Sequence, residues 1–330
     1  TDYLNVYLEM KERYKSDLLI NQFLDKQLLN FYRKDIVVYF KNGENIDQIF
    51  NILYKALDKI EKRTVINSNY ILKKEVKTIL KGNLNKYKKL NNRHQLLREL
   101  KAAIKGRRRL YLFLYNRIFT KLPVKKNAVF LESFLGKSYS DNPKYIYEYM
   151  ISNSKKYKYI WSFNERKNIP GNPIQVKRFS LRYFYYLATA NYWVSNSRLP
   201  KDLKKREETI YLQTWHGTPL KKLVFDMKDV YSADPNYKKN FYNQSRRWDY
   251  LNSANAYSSE IFRRAFLYDK EILEFGYPRN DILYKKNNES DINQLKKRLN
   301  LPLNKKVILY APTWRDDEFY GRGRYKFNLK

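Results

Sequence analysis

The chain has no cysteine among its 330 residues, and this absence excludes several kinds of site. Disulfides, zinc–thiolate centres and iron–sulfur clusters all require the thiol group. Only two histidines are present, His94 and His216, and they lie far apart in the sequence. The sequence therefore predicts no metal site, and the lack of cysteine is compatible with a reducing cytoplasm.

Long apolar runs are also missing. No uninterrupted stretch reaches the roughly 18 residues that a membrane-spanning helix needs, and no signal peptide is visible. Glycine is scarce, with nine residues. The phosphate loop G-x-x-x-x-G-K-[ST], the dinucleotide motif G-x-G-x-x-G, the hydrolase elbow G-x-S-x-G and the zinc motif H-E-x-x-H are all absent. The corresponding enzyme classes are therefore not expected.

Positive charge is abundant. The 67 lysine and arginine residues outnumber the 33 acidic residues and give a formal net charge of +34. Such a field favours a polyanionic partner, which can be nucleic acid, an anionic lipid surface or a phosphate-rich substrate. Because 43% of the residues are hydrophobic, a sizeable core is expected and extensive disorder is not.

Residues 1–121 have a helical pattern. Apolar residues recur at helical spacing over 18–31 and again over 49–60, with few glycines or prolines to interrupt them. A basic stretch at 101–109 then runs into the apolar and aromatic residues 110–115. This combination suits either an interfacial helix on anionic lipid or a core-facing helix with a solvated rim, and both interpretations remain open at this point.

After Pro123, short β-rich runs alternate with helical patterns. Strands are predicted at 128–131, 159–163, 192–195, 209–215, 250–251, 272–275 and 307–310. Helices are predicted at 143–154, 180–190, 219–226, 258–267 and 291–299. Such alternation predicts an α/β fold with a parallel sheet, whose ligands bind outside the carboxyl ends of the strands.

The most informative stretch is Gln213-Thr214-Trp215-His216-Gly217-Thr218-Pro219. His216 follows a predicted strand, and Gly217 is expected to adopt a positive φ angle in a tight turn. Thr218 is a good N-cap, and Pro219 is favoured in the first turn of a helix. The free N–H groups of that helix start would attract a phosphate, and Lys221 and Lys222 would add full charges.

An imidazole at this position is suited to proton transfer. An alcohol is a poor nucleophile until a base removes its proton, and histidine changes charge near neutral pH. The alternative is a histidine that is hydrogen-bonded in the core, but the position at a strand end before Gly-Thr-Pro favours a functional role. His216 is therefore predicted to be a general base.

Two later segments bear arginine at the end of a predicted strand. Arg279 lies in Phe275–Asp281, a sharp break that suits an interdomain hinge, and Arg315 follows the predicted strand 307–310. Either segment can be a plain surface turn, but the rigid fork of arginine donors is a good clamp for phosphate. The adjacent carboxylates of Asp316 and Asp317 are weak support for a metal.

Five segments together resemble the CDP-glycerol glycerophosphotransferase family, the teichoic acid primases and polymerases of Gram-positive bacteria. They occur in the expected order over about residues 127–330. They are His216-Gly217-Thr218-Pro219-Leu220-Lys221; Glu132-Ser133-Phe134-Leu135-Gly136 with Ser140-Asp141-Asn142-Pro143; Trp193-Val194-Ser195-Asn196; Gly276-Tyr277-Pro278-Arg279-Asn280-Asp281; and Tyr310-Ala311-Pro312-Thr313-Trp314-Arg315.

The resemblance implies a GT-B fold, in which two Rossmann-like halves face each other across a cleft. The helical region 1–121 would precede a first half at 122–275, and a hinge with the start of an incomplete second half would occupy 276–330. The family's second half carries another histidine and an acidic nucleotide-binding region, which this sequence does not contain, so the chain resembles a C-terminally truncated member or a fragment.

The resemblance also implies a reaction. Glycerol phosphate, or ribitol phosphate in close relatives, would pass from a CDP-activated donor to a hydroxyl of a lipid-linked acceptor, with His216 as the base and without a further cofactor. The substrate contacts would come from Gly217, Thr218, Lys221, Lys222, Arg279, Asp281, Thr313, Trp314 and Arg315. The protein would lie on the cytoplasmic face of the membrane as a peripheral enzyme.

Two other functions compete with this one. The charge and the many tyrosines also suit a nucleic-acid-binding protein without catalysis, although no recognised binding module is present and that function would leave the His216 segment unexplained. A catalytically inactive adaptor that binds only the acceptor is the other alternative. The polyol, the acceptor, primase or polymerase action and the oligomeric state are left open by the sequence.

Overall fold

The structure, a computed structural model, describes residues 2–42, 45–153, 156–228, 234–311, 319–321 and 324–325. Contacts divide the chain into two compact units, with the division between Lys105 and Gly106. The sequence analysis placed this boundary at about residue 121, which is 16 residues later.

The first unit is helical, as its pattern predicted. Its helices are α1 (Asp2–Arg13), α2 (Leu18–Phe31), α3 (Val37–Asn42), α4 (Ile46–Asp58), α5 (Lys62–Ile66), α6 (Tyr70–Ile79) and α7 (Leu84–Ala103). A π-helical turn, Tyr32–Ile36, joins α2 to α3. Side chains of Asp17, Asn69 and Asn83 cap the starts of α2, α6 and α7. Among the described residues, no helix is both long enough and apolar enough to pass through a bilayer.

The first unit buries a hydrogen-bonded cluster of charges around Glu75. The carboxylate of Glu75 lies 2.7 Å from the Nδ1 atom of His94 and accepts hydrogen bonds from Arg98 and the hydroxyl of Tyr32. His94 is only 5% exposed. One of the two histidines of the chain is therefore a satisfied core residue.

The second unit is a mixed α/β structure built on a parallel sheet. The strands of this sheet are β1 (Lys125–Glu132), β2 (Lys158–Phe163), β3 (Ile174–Lys177), β4 (Ala190–Ser195), β5 (Ile210–Gln213), β6 (Tyr250–Asn252) and β7 (Glu271–Leu273). Their order is β3-β2-β1-β4-β5-β6-β7, and every neighbouring pair is parallel. Two short strands, β8 (Phe319–Gly321) and β9 (Arg324–Tyr325), pair separately in antiparallel fashion.

Helices cover both faces of the sheet. They are α8 (Arg107–Arg117), α9 (Asp141–Asn153), α10 (Leu181–Thr189), α11 (Tyr237–Ser245) and α12 (Ala256–Phe266). Two further helices, α13 (Asp281–Lys285) and α14 (Glu289–Arg298), contain no buried residue. Alternate residues of β1 enter two separate cores, because successive side chains of a strand point to opposite faces. Phe130 packs in the core under α8, α10, α11 and α12, whereas Leu131 packs in the core under α9.

Helix α8 explains why the boundary lies earlier than the sequence predicted. Tyr115 is fully buried in the core of the second unit, and its hydroxyl donates a hydrogen bond of 2.6 Å to the carbonyl of Lys204. Tyr111 and Leu112 pack against the same core. The core-facing interpretation of residues 110–115 thus holds for these three side chains, while contact with lipid stays a prediction.

Two predicted elements are absent. Residues 219–223 have no regular secondary structure, and only Val224–Asp226 form a short 3₁₀ turn, so the helix predicted at 219–226 is wrong. The consecutive residues Leu223, Val224 and Phe225 all pack on the core, whereas neighbours on an α-helix do not share a face.

The predicted strand 307–310 is also wrong. No described strand lies beside it to supply ladder hydrogen bonds, and Ile308 and Leu309 are 93% and 84% exposed. Conversely, the sequence analysis missed β3 and α11.

We expect the replacement Phe130→Ala to lower the free energy of unfolding by about 3–5 kcal/mol, because it leaves a cavity beneath β1, an inner strand of the sheet. Phe275→Ala is the matched control, since this phenylalanine is 86% exposed, and it should change stability by less than about 0.5 kcal/mol. Urea unfolding followed by circular dichroism measures both. Equal effects of the two replacements would contradict the burial of Phe130.

Candidate active site

The motif segments converge at the carboxyl edge of the sheet. The order of the strands reverses between β1 and β4, and ligands of open parallel sheets bind at such a switch point. Ser133 follows β1, Asn196 follows β4 and His216 follows β5, so three neighbouring strands each deliver a polar residue there. The start of α9 and the loop after β7 complete the cluster.

His216 owes its position to the residue before it. Trp215 has a left-handed backbone with φ at +51°, and its ring packs against Phe241, Phe262 and Phe266 in the core. The same ring stacks on the imidazole of His216, with centroids 4.6 Å apart. The backbone turns at Trp215, so the tryptophan packs half-buried on the core while His216 is exposed.

The left-handed residue of this turn is not the one that the sequence suggested. Gly217 was expected to adopt a positive φ angle, and this prediction is wrong, because its φ lies outside the left-handed region. A Cβ atom at Gly217 would meet no other atom within 4 Å. The absence of a side chain at Gly217 thus leaves open space next to the histidine, and it does not serve to allow a left-handed backbone.

The imidazole has a defined tautomer. Its Nδ1 atom lies 2.7 Å from the carbonyl oxygen of Asn196. Since a carbonyl can only accept, Nδ1 carries the hydrogen and Nε2 holds a lone pair when the ring is neutral. Within the described residues, Nε2 has no hydrogen-bond partner, and the ring of Phe134 lies edge-on at 6.0 Å. The ring can therefore accept a proton from a bound molecule.

Asn196 and Asp141 form the centre of the cluster. The side-chain N–H of Asn196 donates to Asp141 Oδ2 at 2.6 Å. The side-chain oxygen Oδ1 of Asn196 accepts from the backbone N–H of Phe134 at 2.8 Å. Both residues are buried. One asparagine thus ties together the ends of β1 and β4 and the start of α9.

Arg279 joins the loop after β7 to this centre. Its guanidinium contacts Asp141 Oδ1 at 2.6 Å and donates to the carbonyl oxygen of His216 at 2.8 Å. The backbone N–H of Arg279 donates to Asn142 Oδ1 at 3.2 Å, and Asn142 in turn donates to the carbonyl of Thr214. Arg279 therefore fixes the backbone of the histidine, while its predicted contact with phosphate remains a prediction.

Tyr277 lies beneath the guanidinium of Arg279. The guanidinium is 4.9 Å from the centre of the tyrosine ring, and Tyr277 is only 4% exposed. Burial raises the pKa of Tyr277 to about 12, although the charge of Arg279 opposes the rise. The phenol is therefore neutral at physiological pH and serves as a rigid support for the arginine.

The backbone around the site is strained at several positions. Phe134, Leu135, Asp141 and Trp215 all have positive φ angles between +43° and +59°. Each such conformation costs a non-glycine residue about 1–3 kcal/mol, and such residues cluster at functional sites. This concentration supports a function for the carboxyl edge beyond stability.

Behind the turn after β1 lies a buried carboxyl group. Glu132 Oε2 accepts hydrogen bonds from Ser162 at 2.7 Å and from Arg178 at 3.1 Å. Burial raises the pKa of Glu132, while Arg178 and Ser162 oppose the rise. These bonds fix the side of the turn that faces β2 and β3.

Other predicted contact residues follow His216 on a segment without regular secondary structure. Thr218, Lys221 and Lys222 are exposed, but the helix that was expected to begin after Thr218 is absent. The carbonyl of Pro219 instead accepts a hydrogen bond of 3.2 Å from Tyr257. The prediction that helix N–H groups bind a phosphate here is therefore wrong, whereas a role for the two exposed lysines stays a prediction.

Asp281 is not part of the cluster. It begins α13, faces Lys285 at 3.7 Å and lines a separate cavity of about 320 Å³ against α9. Thr313, Trp314 and Arg315 lie outside the described residues. The part of the chain that the structure describes contains no group of three or more acidic or histidine side chains suited to a metal ion.

The sequence analysis quoted Asp141, Asn142 and Asn196 within motifs but assigned them no role. Trp215 was noted only as the neighbour of the histidine. A signal was available, because buried polar residues directly after strands are expected at the ligand edge of a parallel sheet. Their mutual contacts were not accessible, since they join residues up to 138 positions apart.

Comparison with known proteins agrees with this geometry. The model of the CDP-glycerol:poly(glycerophosphate) glycerophosphotransferase family matches residues 114–330, which include every motif segment. The chain belongs to this family.

Curated glycerophosphotransferase relatives are similar over much of the chain. The teichoic acid poly(glycerol phosphate) polymerase of Bacillus subtilis (strain 168) is 46% identical over 287 residues, which are 84% of this chain and 38% of the relative. A protein of the same name from Staphylococcus epidermidis is 54% identical over 214 residues, covering 63% of this chain and 30% of the relative. The chain thus spans only 30–38% of the length of these two relatives.

Solved structures in the family also resemble the chain. The wall teichoic acid polymerase TagF, in a histidine-to-asparagine variant with CDPG, matches with a TM-score of 0.65 and 46% identity, over 72% of this chain and 60% of that chain. TagF without these changes matches with a TM-score of 0.63 over 71% of this chain and 60% of that chain.

The replacement Gly217→Ala should leave the free energy of unfolding unchanged or raise it by up to about 1 kcal/mol, because the methyl group has space and the backbone is not left-handed. Gly276→Ala is the matched control. Gly276 also faces open space, but its φ is +83°. The replacement at this position should therefore lower the free energy of unfolding by about 1 kcal/mol through backbone strain alone. Thermal unfolding measures both, and equal losses would show that Gly217 is left-handed in solution.

The replacement Asp141→Asn should lower the free energy of unfolding by about 1–3 kcal/mol, because it removes the charge that faces a partly buried Arg279. Asp281→Asn is the control, since its contact with Lys285 is exposed, and it should cost less than about 0.5 kcal/mol. The urea unfolding midpoints of the two variants measure both losses of stability. If the two variants lose the same amount, the ion pair of Asp141 does not stabilise the cluster.

Proposed function

We propose that the protein transfers glycerol phosphate from CDP-glycerol to a hydroxyl group of a lipid-linked acceptor in teichoic acid or related polymer synthesis, and that CMP leaves. The relatives named as poly(glycerol phosphate) polymerases and the family itself support this activity. Because the family description and the names of both quoted polymerase relatives specify glycerol phosphate, we favour glycerol over ribitol as the polyol.

The observation that carries the proposal is the state of His216. The ring is exposed at the switch point of the sheet, and its Nδ1–H donates to the carbonyl of Asn196. This bond places the hydrogen on Nδ1 and leaves the lone pair on Nε2 of an exposed ring. A base held in this way needs no reorientation before it accepts a proton.

The chemistry follows from these atoms. Nε2 of His216 takes the proton from the acceptor hydroxyl as the oxygen attacks the phosphorus that bears the glycerol. A new P–O bond forms, and the bond between this phosphorus and the oxygen of CMP breaks with its electron pair on CMP. The imidazolium then releases its proton to solvent. A base of this kind contributes about 10²–10⁴-fold to the rate.

The donor is itself the activated substrate, so the proposal requires no resident cofactor. Its charged phosphates would be held by Gly217, Thr218, Lys221 and Lys222 on the exposed segment after the base, and by Thr313, Trp314 and Arg315. A GT-B arrangement, in which a second Rossmann-like half closes over the donor, belongs to the same proposal. Asp281 is the weakest of the assigned contacts, since it lines a different cavity.

We place the reaction at the cytoplasmic face of the membrane with the protein as a peripheral enzyme. The strong positive charge supports this location, because anionic lipid attracts basic surfaces. Membership of the glycerophosphotransferase family favours this proposal over a nucleic-acid-binding function, and nucleic acid is not one of the proposed partners.

We expect His216→Ala to lower the turnover number by about 100-fold or more, because the acceptor hydroxyl loses its base. The measurement is CMP release from CDP-glycerol in the presence of a lipid-linked acceptor, and CDP-ribitol in a parallel reaction tests the choice of polyol. Unchanged turnover in this variant would contradict the assignment of the base.

His94→Asn is the matched control for the loss of a histidine. Its ring is buried in the first unit against Glu75, so turnover per folded molecule should be retained even though stability falls. Circular dichroism gives the folded fraction of both variants. A similar loss of turnover in both would show a general effect of removing histidine.

A further inference from the structure

A cavity of about 650 Å³ opens beside β3, the outermost strand on one side of the sheet. Its lining carries three cationic side chains, Arg166, Lys177 and Arg182, but only one carboxylate, Glu165. All four side chains are exposed. Among the described residues, none of the three cations forms an ion pair, although Arg182 also lies 5.9 Å from the ring of Tyr186. The cavity therefore presents positive charge that the protein does not neutralise.

The walls of the cavity are held in place by hydrogen bonds. The side chain of Gln175 accepts from the backbone N–H of Lys167 at 3.0 Å and donates to its carbonyl at 2.7 Å. Arg182 stands in the first turn of α10, which contains no acidic residue that would compete for a bound anion. The cations are thus arranged on a strand, a fixed loop and a helix start.

One residue connects this cavity to the candidate active site. Asn164 lines the cavity, and its backbone N–H donates to the carbonyl of Gly136 at 2.8 Å. Its side chain donates to the carbonyl of Leu135 at 3.3 Å. The adjoining Phe134 contacts the ring of His216 edge-on. The turn after β1 thus contacts Asn164 at the cavity on one side and the ring of His216 on the other.

We propose that this cavity is a subsite for the phosphodiester backbone of the growing acceptor polymer. It would bind repeat units behind the hydroxyl group that His216 activates. The inference rests on the proposed function and adds a second region of acceptor binding to it. Arginine and lysine side chains at three separate points suit an extended chain of regularly spaced phosphates better than a single small anion.

The binding test compares two triple variants with the same change in charge. Arg166→Gln, Lys177→Gln and Arg182→Gln remove the cations of the cavity, whereas Lys239→Gln, Lys297→Gln and Arg298→Gln remove three exposed cations elsewhere. The probe is a fluorescent glycerol phosphate oligomer of several repeats, measured by polarisation at fixed salt. We expect the first triple variant to weaken binding about 10-fold or more and the control less than about 2-fold.

Turnover separates this inference from the proposed function. With an acceptor that carries a single glycerol phosphate, the cavity variant should keep its turnover number, whereas with a long acceptor its KM should rise about 10-fold. A protein that binds the oligomer through these cations but releases no CMP from CDP-glycerol would keep the subsite and lose the proposed reaction.

Two results would overturn the subsite. The first is equal affinity of the two triple variants for the oligomer. The second is a loss of binding to phosphatidylglycerol vesicles in the cavity variant while its affinity for the oligomer is unchanged, since the cations would then serve a lipid surface.

Discussion

The ion pair between Asp141 and Arg279 is the interaction on which the carboxyl edge depends. It joins the first residue of α9 to the loop after β7, which are distant in sequence and meet only when the sheet has formed. The same guanidinium donates to the backbone carbonyl of His216. The same carboxylate accepts from the side chain of Asn196, whose backbone carbonyl accepts from the imidazole. A closed circuit of hydrogen bonds thus defines both the backbone and the ring of the histidine.

Within this circuit, Arg279 positions other residues of the protein and does not need a ligand to be satisfied. Arg279 looked like a phosphate clamp in the sequence because arginine after a strand often serves that purpose. In the structure its guanidinium already serves Asp141 and the protein backbone. The proposed function therefore assigns the phosphates of the donor to the exposed Lys221 and Lys222, and Arg279 to the architecture of the edge.

The sequence predicted the parallel sheet and the position of His216 because both depend on local patterns. Apolar runs identified most strands, and polar residues after them identified the ligand edge. It failed where distant packing overrides local preference, as in Leu223–Phe225, whose burial prevents the helix that Pro219 favours. The strand β3 was missed because four residues, Ile174–Lys177, give too short a pattern, and the left-handed turn at Trp215 was missed because no local rule predicts it for a tryptophan.

The stacking of Trp215 on His216 links the imidazole to the hydrophobic core. The indole is held by phenylalanines of α11 and α12, so any loosening of those two helices would shift the imidazole before the sheet itself melts. Competence for proton transfer would then disappear on warming ahead of cooperative denaturation. The thermal limit of such a protein would be set by the fit of an aromatic cluster and not by the strength of its strands.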